Sequence, residues 1–510
     1  MTTTAGTTTA GTTTAGTAVA EPVRSDRTAA LADRLRRAVG TERVLTDRTQ
    51  VRTYECDGLA NFKVTPAIVV LAESRQHVVD TVRLCAEAGV PFVARGSGTG
   101  LSGGALPSAD GVLLVLSRLR TLSPVDADNR QVTVEPGVIN LWVTRDAAPH
   151  DLAYAPDPSS QLVCSIGGNV AENAGGAHCL KYGFTVNHVL GAEVVLPDGE
   201  VVHLGGRAPE HPGYDLLGAF IGSEGTLGVA TELTLRLIRV PEAVQTMLVG
   251  YSSVEDAAGT VSDIIAAGIL PAAVEMMDAL AIEAAEAAVS CGYPEGAVAV
   301  LVIELDGPRV EVEAQFAQVE EIARARNAFE TRIAADDAER ALMWKGRKSA
   351  FAAVGRISPS YFVQDGVIPR TKLPEVLTEM KRMADEKGLR VANVFHAGDG
   401  NLHPLVLFDD AVEGQAHEAE ELAGDILELC VTSGGSITGE HGVGSEKRMK
   451  MAKQFTPEDL DTMQLLRCAF DPDGIANPGK VFPTPRLCGE RPGVRKGEHP
   501  VQAAGLGEVF

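Results

Sequence analysis

Two short segments near the C-terminal end hold the residue types that can do chemistry. FHAGDGNLHP carries His396 and His403 on either side of a Gly-Asp-Gly turn. ITGEHGVG carries Glu440 and His441 inside a second glycine-rich loop. Together they offer three metal ligands and one free imidazole. A divalent cation and a base can jointly activate a hydroxyl, and a redox cofactor held elsewhere in the chain can take what leaves the carbon. Histidines beside a hairpin also occur as hydrogen-bonded turn residues. Adjacent residues such as Glu440 and His441 point to opposite faces of an extended chain, whereas a glycine-rich turn lets both face one site. Asp399, in GDGN, reads as a turn former.

The elements that must position these residues belong to a large chain. At 510 residues it is expected to form two or three domains, and its 45% hydrophobic content suffices for a sizeable core. The net charge is −23, from 45 Lys and Arg against 68 Asp and Glu. That balance argues against nucleic acid and against a basic membrane-surface patch. No apolar run reaches the roughly 18 residues a bilayer requires, so no transmembrane segment is expected. The eight cysteines are scattered without a C-x-x-C pair, which disfavours iron–sulfur and zinc-ribbon sites and reads as reduced cytoplasmic thiols. The N-terminus repeats TTTAG. It has neither the basic nor the apolar region of a signal peptide and reads as a disordered tail over residues 1–25.

Residues 66–95 read as strand, helix, strand, with Ser74 capping a helix through Ala88 and Gly89 stopping it. The run RGSGTGLSGGAL follows. Its glycines let backbone N–H groups approach a phosphate, although a plain flexible loop has the same composition. A dinucleotide-binding Rossmann fingerprint demands a helix immediately afterwards; here DGVLLVLSRL reads as a strand. A nicotinamide Rossmann site is therefore disfavoured, and the loop also lacks the P-loop pattern. PDPSSQLVCSIGGNVAENAGGAHCLKYG and IGSEGTLGVAT are further loops rich in small residues, separated by a hairpin turned at Pro197, Asp198 and Gly199. Three such loops beside strands suit one extended dinucleotide. From about residue 242, strands alternate with amphipathic helices near 255–267, 278–289, 309–328 and 372–387, with further helices at 416–432 and 456–470. This pattern predicts an antiparallel sheet with helices on one side.

RGSGTGLSGG, PDPSS, IGGNVAENAGG, GSEGTLGV, FHAGDGNLHP, GEHGVG and NPGK occur in this order. The set resembles the FAD-linked oxidases of the p-cresol methylhydroxylase (PCMH)/vanillyl-alcohol oxidase superfamily. Within it, the chain is similar to the group of D-lactate dehydrogenases, D-2-hydroxyglutarate dehydrogenase and the FAD-linked D subunit of glycolate oxidase. WKGRKSAFAAVGRISP and DGVIPR look most like the last. The resemblance covers about residues 40–485.

The resemblance implies an α+β chain. A two-lobed PCMH-type FAD-binding domain would span 26–241. A cap, or substrate, domain of the ferredoxin-like α+β kind, with an antiparallel sheet and a C-terminal helical segment, would span 242–470. Residues 471–510 would return to the FAD domain and end in a tail. FAD would be held by Arg95, Gly96, Ser97, Gly98, Thr99, Gly100, Leu101, Ser102 and Gly103 at the pyrophosphate. Pro156, Asp157, Pro158 and Ser159, with Gly167, Gly168 and Asn169, would approach the flavin. Gly176, Gly222, Gly225, Leu227, Gly228 and Val229 would complete the wall, and Asn477 would return to it. The first loop has no histidine, so FAD is expected to be noncovalent; nothing marks His178 as a flavin link.

The resemblance further assigns His396, His403 and Glu440 as ligands of a divalent metal. Two imidazoles and a carboxylate suit zinc, with iron or manganese as alternatives. His441 would be the general base and Arg347 the clamp on the substrate carboxylate, through its planar two-pronged donor. By position alone Arg347 reads as a helix-surface charge. Arg356 and Tyr361 are weaker pocket candidates.

The expected reaction is oxidation of a small 2-hydroxy acid to the 2-oxo acid, with hydride transfer from Cα to flavin N5. Glycolate ranks first, D-lactate second and D-2-hydroxyglutarate third. The rival expectation is a noncatalytic FAD subunit that relays electrons or scaffolds an oxidase complex; an NADPH-dependent reductase of the same fold would lack the metal set. No haem or iron–sulfur ligands are visible, so a partner subunit, a quinone or another carrier is expected to accept electrons. A homodimer or an oxidase complex is consistent with this. The expected location is the cytoplasm, or the membrane periphery through a partner.

Overall fold

The computed structural model describes residues 26–208 and 212–483. The tails expected at 1–25 and 485–510 lie outside the described residues. The first lobe is built on three parallel strands, Ile68–Leu71, Val112–Val115 and Phe92–Arg95, with Val44–Leu45 antiparallel at the edge. Helix Arg75–Ala88 packs Val78, Val82 and Cys85 into this lobe's core. Ser74 Oγ caps it by accepting from His77 N at 3.3 Å, and Gly89 ends it in the left-handed region. The glycine run leaves the end of strand Phe92–Arg95 and leads into strand Val112–Val115, as the sequence implies.

The second lobe is an antiparallel sheet of Gln131–Val134, Val229–Arg236, Val189–Val195 and Val201–Gly205. The hairpin between the last two turns at the expected Pro-Asp-Gly. The C-terminal segment packs against the first lobe: Asn477 N donates to Phe92 O at 2.8 Å, and Ala476 bridges to Phe92 in parallel.

The cap is a nine-stranded sheet whose pairings are all antiparallel. Its helices lie on both faces, not one. Val254–Ala266, Arg309–Ala325, Leu373–Glu386 and Gln415–Thr432 share a core with Met247, Val249 and Tyr251. Ala279–Val289 and Asp337–Val354 pack with Leu248 and Val300 on the other face. The sequence carried the sign of this. In strand Ala299–Gly307 the run AVLVI is apolar without a break and is buried throughout, as are Glu304 and Leu305 after it, and an uninterrupted apolar run is one covered on both faces. Helix Asp337–Val354 starts at Asp336, whose carboxylate accepts from Glu339 N at 2.9 Å. It buries Met343, Trp344, Arg347 and Ala350, so Arg347 is not a surface charge.

Candidate active site

Strand Arg390–His396 ends where the Gly-Asp-Gly turn begins, and His396 pairs across it with Asn401. Gly400 N closes the turn on His396 O at 3.2 Å. Gly400 sits at φ 81, and a Cβ there would strike Ile368 O, so the turn needs glycine. Asp399 Oδ1 accepts from Asn401 N at 3.0 Å and forms the turn as expected; burial pushes its carboxyl up to about 6. His396 and His403 are thereby fixed on the sheet, 5% and 1% exposed.

Three imidazoles converge on one oxygen of Glu440. Nε2 of His396, His403 and His441 lie 3.5, 3.1 and 3.5 Å from Glu440 Oε1. The His403 and His441 rings stack at 4.8 Å, whereas His396 stands nearly perpendicular to His403 at 5.1 Å. The glycine-rich loop therefore does turn Glu440 and His441 to one side. Burial raises the Glu440 carboxyl, but the three imidazoles facing it outweigh burial and hold the group well below its usual range. Burial lowers His396, yet Glu275 and Glu440 outweigh it and raise its imidazole well above the ordinary value. Burial keeps His403 low.

The donor set fits a divalent cation. Ligand atoms of His396, His403 and Glu440 lie within 4.8 Å of one another. His403 Nε2 and Glu440 Oε2 are buried without a hydrogen-bond partner, which a cation between the side chains would remedy. Asp365, His403 and His441 also bring ligand atoms within 4.8 Å. Asp365 is the poorer ligand, because both its oxygens already accept backbone N–H groups of residues 439–441.

Behind His396 lies a carboxylate that sequence reading missed. Glu275 Oε1 is 2.7 Å from His396 Nδ1. Its other oxygen accepts from Arg347 Nε at 2.7 Å and lies 2.6 Å from Nη2. Nε thus hydrogen-bonds Glu275, whereas Nη2 makes an ion contact with the same oxygen and has no hydrogen-bond partner. Nη1 makes no hydrogen bond to any described residue. Burial raises the Glu275 carboxyl, but Arg347 and His396 outweigh it and hold it low.

A cavity of about 640 Å³ runs from the glycine loops to His403, Glu440 and His441. Its wall includes Arg95, Gly96, Ser97, Gly98, Thr99, Gly100 and Leu101, then Pro158, Ser159, Gly167, Gly168, Asn169, Gly225, Gly228 and Val229. Such a volume, lined by glycines that bare their backbone, suits a long phosphate-bearing cofactor. Ser102, Gly103, Pro156, Asp157, Gly176, Gly222, Leu227 and Asn477 stand outside the wall. Several of them brace it: Asn477 Nδ2 donates to Gly104 O and Glu224 O at 2.8 and 2.6 Å, and Ser102 Oγ donates to His441 O at 2.7 Å. From the cap, Lys348 and Tyr361 line the cavity. Arg347 does not, and Arg356 instead donates to Ala287 O at 2.7 Å.

Asp157 meets His178, not the cavity. His178 Nδ1 is 2.8 Å from Asp157 Oδ2, and its Nε2 is 3.2 Å from Glu304 Oε1 in the cap. Glu304 also takes Arg340 and Trp344 Nε1. This network joins the two domains beside the site.

The two-lobed domain with its sheet-based cap is a fold that solved structures share. The fold matches p-cresol methylhydroxylase with substrate bound (TM-score 0.75, 17% identity, covering 90% of this chain and 97% of that one). It also matches 4-ethylphenol oxidase from Gulosibacter chungangensis (TM-score 0.74, 19% identity, covering 91% and 99%). The family described as "FAD binding domain" matches residues 66–205, and "FAD linked oxidases, C-terminal domain" matches 240–481. The chain is 50% identical to glycolate oxidase subunit GlcD of Escherichia coli strain K12, over 91% of this chain and 93% of that one. It is 38% identical to GlcD of Bacillus subtilis strain 168 (84% and 92% covered) and 34% identical to D-lactate dehydrogenase of Anaerostipes hadrus (87% and 95% covered). The chain belongs to the FAD-linked oxidase family. Among the described residues no helix is long and apolar enough to cross a membrane.

Proposed function

We propose that this chain oxidises a small 2-hydroxy acid, glycolate first and D-lactate second, to the 2-oxo acid. The observation that carries this reading is the convergence of His396, His403, Glu440 and His441 at the end of a cavity walled by the FAD-domain loops. Bound FAD, held noncovalently, supplies the acceptor for the hydride leaving Cα, and a bound divalent cation supplies positive charge that acidifies the hydroxyl.

The chain's own residues do the rest. His396, His403 and Glu440 would hold the cation; zinc suits this set, with iron or manganese as alternatives. His441 lines the cavity and takes the hydroxyl proton at Nε2. Lys348 presents a cation to the substrate carboxylate at the cavity wall; Arg347, held behind that wall on Glu275, reaches the same carboxylate with Nη1 only if its side chain shifts toward the cavity. Glu275 orients His396. The electron acceptor is a partner subunit or another carrier; the name of the Escherichia coli relative, a subunit of glycolate oxidase, supports the former.

The test is a turnover screen of glycolate, D-lactate, L-lactate and D-2-hydroxyglutarate with an electron-accepting dye and metal analysis of the same sample. Turnover confined to glycolate or D-lactate is expected. Turnover of D-2-hydroxyglutarate alone would replace the substrate assignment.

A further inference from the structure

One buried carboxylate shapes the loop that carries both a ligand and the base. Asp365 follows the strand Ser360–Val363 and is fully buried. Gly439 N and His441 N donate to its Oδ2 at 3.0 and 2.9 Å, and Glu440 N donates to its Oδ1 at 3.1 Å. Thr438 Oγ1 and Lys447 Nζ add 2.5 and 3.2 Å contacts to Oδ2. Three successive N–H groups pointed at one anion form a concave turn. That turn is incompatible with an extended chain, in which Glu440 and His441 would diverge.

The far end of the same loop is held by the other domain. Glu224 accepts from Val443 N and Gly444 N at 2.6 and 2.7 Å. Between the two clamps Gly442 takes φ 80, and a Cβ there would meet the carboxylates of Glu172 and Glu224.

We propose that Asp365 is the positioning residue of this site: by gathering the N–H groups of residues 439–441 it turns the Glu440 and His441 side chains onto His403. This deepens the reading above and rests on it. Asp365 touches no substrate; it acts through the backbone of the loop. Glu224 fixes the other end, so the constellation is complete only with the cap seated on the FAD domain.

The experiment compares Zn²⁺ and Mn²⁺ affinity, FAD content and thermal midpoint in FAD-loaded full-length wild type, D365N and T438V. The D365N substitution keeps the side-chain volume but points an amide N–H₂ group at donors. The expected result is metal affinity weaker by about 10- to 100-fold in D365N, with FAD content unchanged. T438V, which removes one donor and leaves the carboxylate, is expected to show a loss of a few-fold, and it supplies the measurement should D365N not fold. Wild-type metal affinity in folded D365N, or in T438V if D365N does not fold, overturns the assignment of Asp365 while leaving the metal reading intact. A wild type that binds neither metal overturns both.

Discussion

Glu275 and His396 are joined across neighbouring antiparallel strands: Oε1 of one lies 2.7 Å from Nδ1 of the other, and the two residues are register partners. The bond leaves His396 Nε2 to face Glu440. A carboxylate behind a ligating imidazole fixes the ring and its tautomer and raises its basicity. E275Q is expected to weaken Zn²⁺ binding by about 10- to 100-fold, measured by titration of the FAD-loaded protein. An unchanged affinity would separate Glu275 from the metal site.

Arg347 and Glu275 are 3% and 1% exposed at their side chains, so removing one partner strands a buried charge. R347A is expected to cost about 3–5 kcal/mol of stability, read by denaturant unfolding. R347K keeps the charge without the planar fork and should lose less stability. If R347A unfolds like wild type, the pair is not a buried ion pair in solution.

His178 gives a pH dependence with a definite sign. Burial opposes its charge, but Asp157 and Glu304 outweigh it and push the imidazole up to about 10. Asp157 and Glu304 contact its ring, Arg340 reaches it through Glu304, and Trp344 stacks on it. The unfolded imidazole titrates near 6.5, so folding takes up a proton between about 6.5 and about 10. The stabilisation is complete below about 6.5 and is lost as pH rises towards about 10. H178Q should therefore lose roughly 2 kcal/mol relative to wild type at pH 6, the scale of hydrogen bonds to a charged group, and progressively less towards pH 9.5. Thermal melts at both pH values check this. A deficit that grows with pH would contradict it.

Chelation should separate the two proposed cofactors. Treatment with a strong chelator is expected to leave the visible flavin spectrum and remove substrate oxidation. Added Zn²⁺ or Mn²⁺ should restore it. Full turnover after metal removal, verified by elemental analysis, would remove the metal from the account.

Much of this was legible because local chemistry and global fold agreed. Ser74 and Gly89 bounded a helix, and the strand after the first glycine loop ruled out a Rossmann arrangement. FHAGDGNLHP and GEHGVG named the converging ligand-type residues. What the sequence hid was long-range. Glu275 reads as one more residue of a buried strand until the neighbouring strand brings His396 against it. Asp365 sits in DGVIP like a turn residue until the loop at 438–441 folds over it. The fork of Arg347 could not be aimed from sequence, because its direction depends on which carboxylate lies across the sheet. The second helical layer was written in the unbroken apolar run at 299–303, which alternation-based reading passes over.

The most direct test of the proposed function is anaerobic mixing of the FAD- and metal-loaded protein with glycolate or D-lactate while flavin absorbance is followed. The wild type should bleach. H441Q, with FAD and metal content matched, should bleach slower by about 10²- to 10⁴-fold. Absence of bleaching by either acid, or bleaching of H441Q at the wild-type rate, would contradict the account.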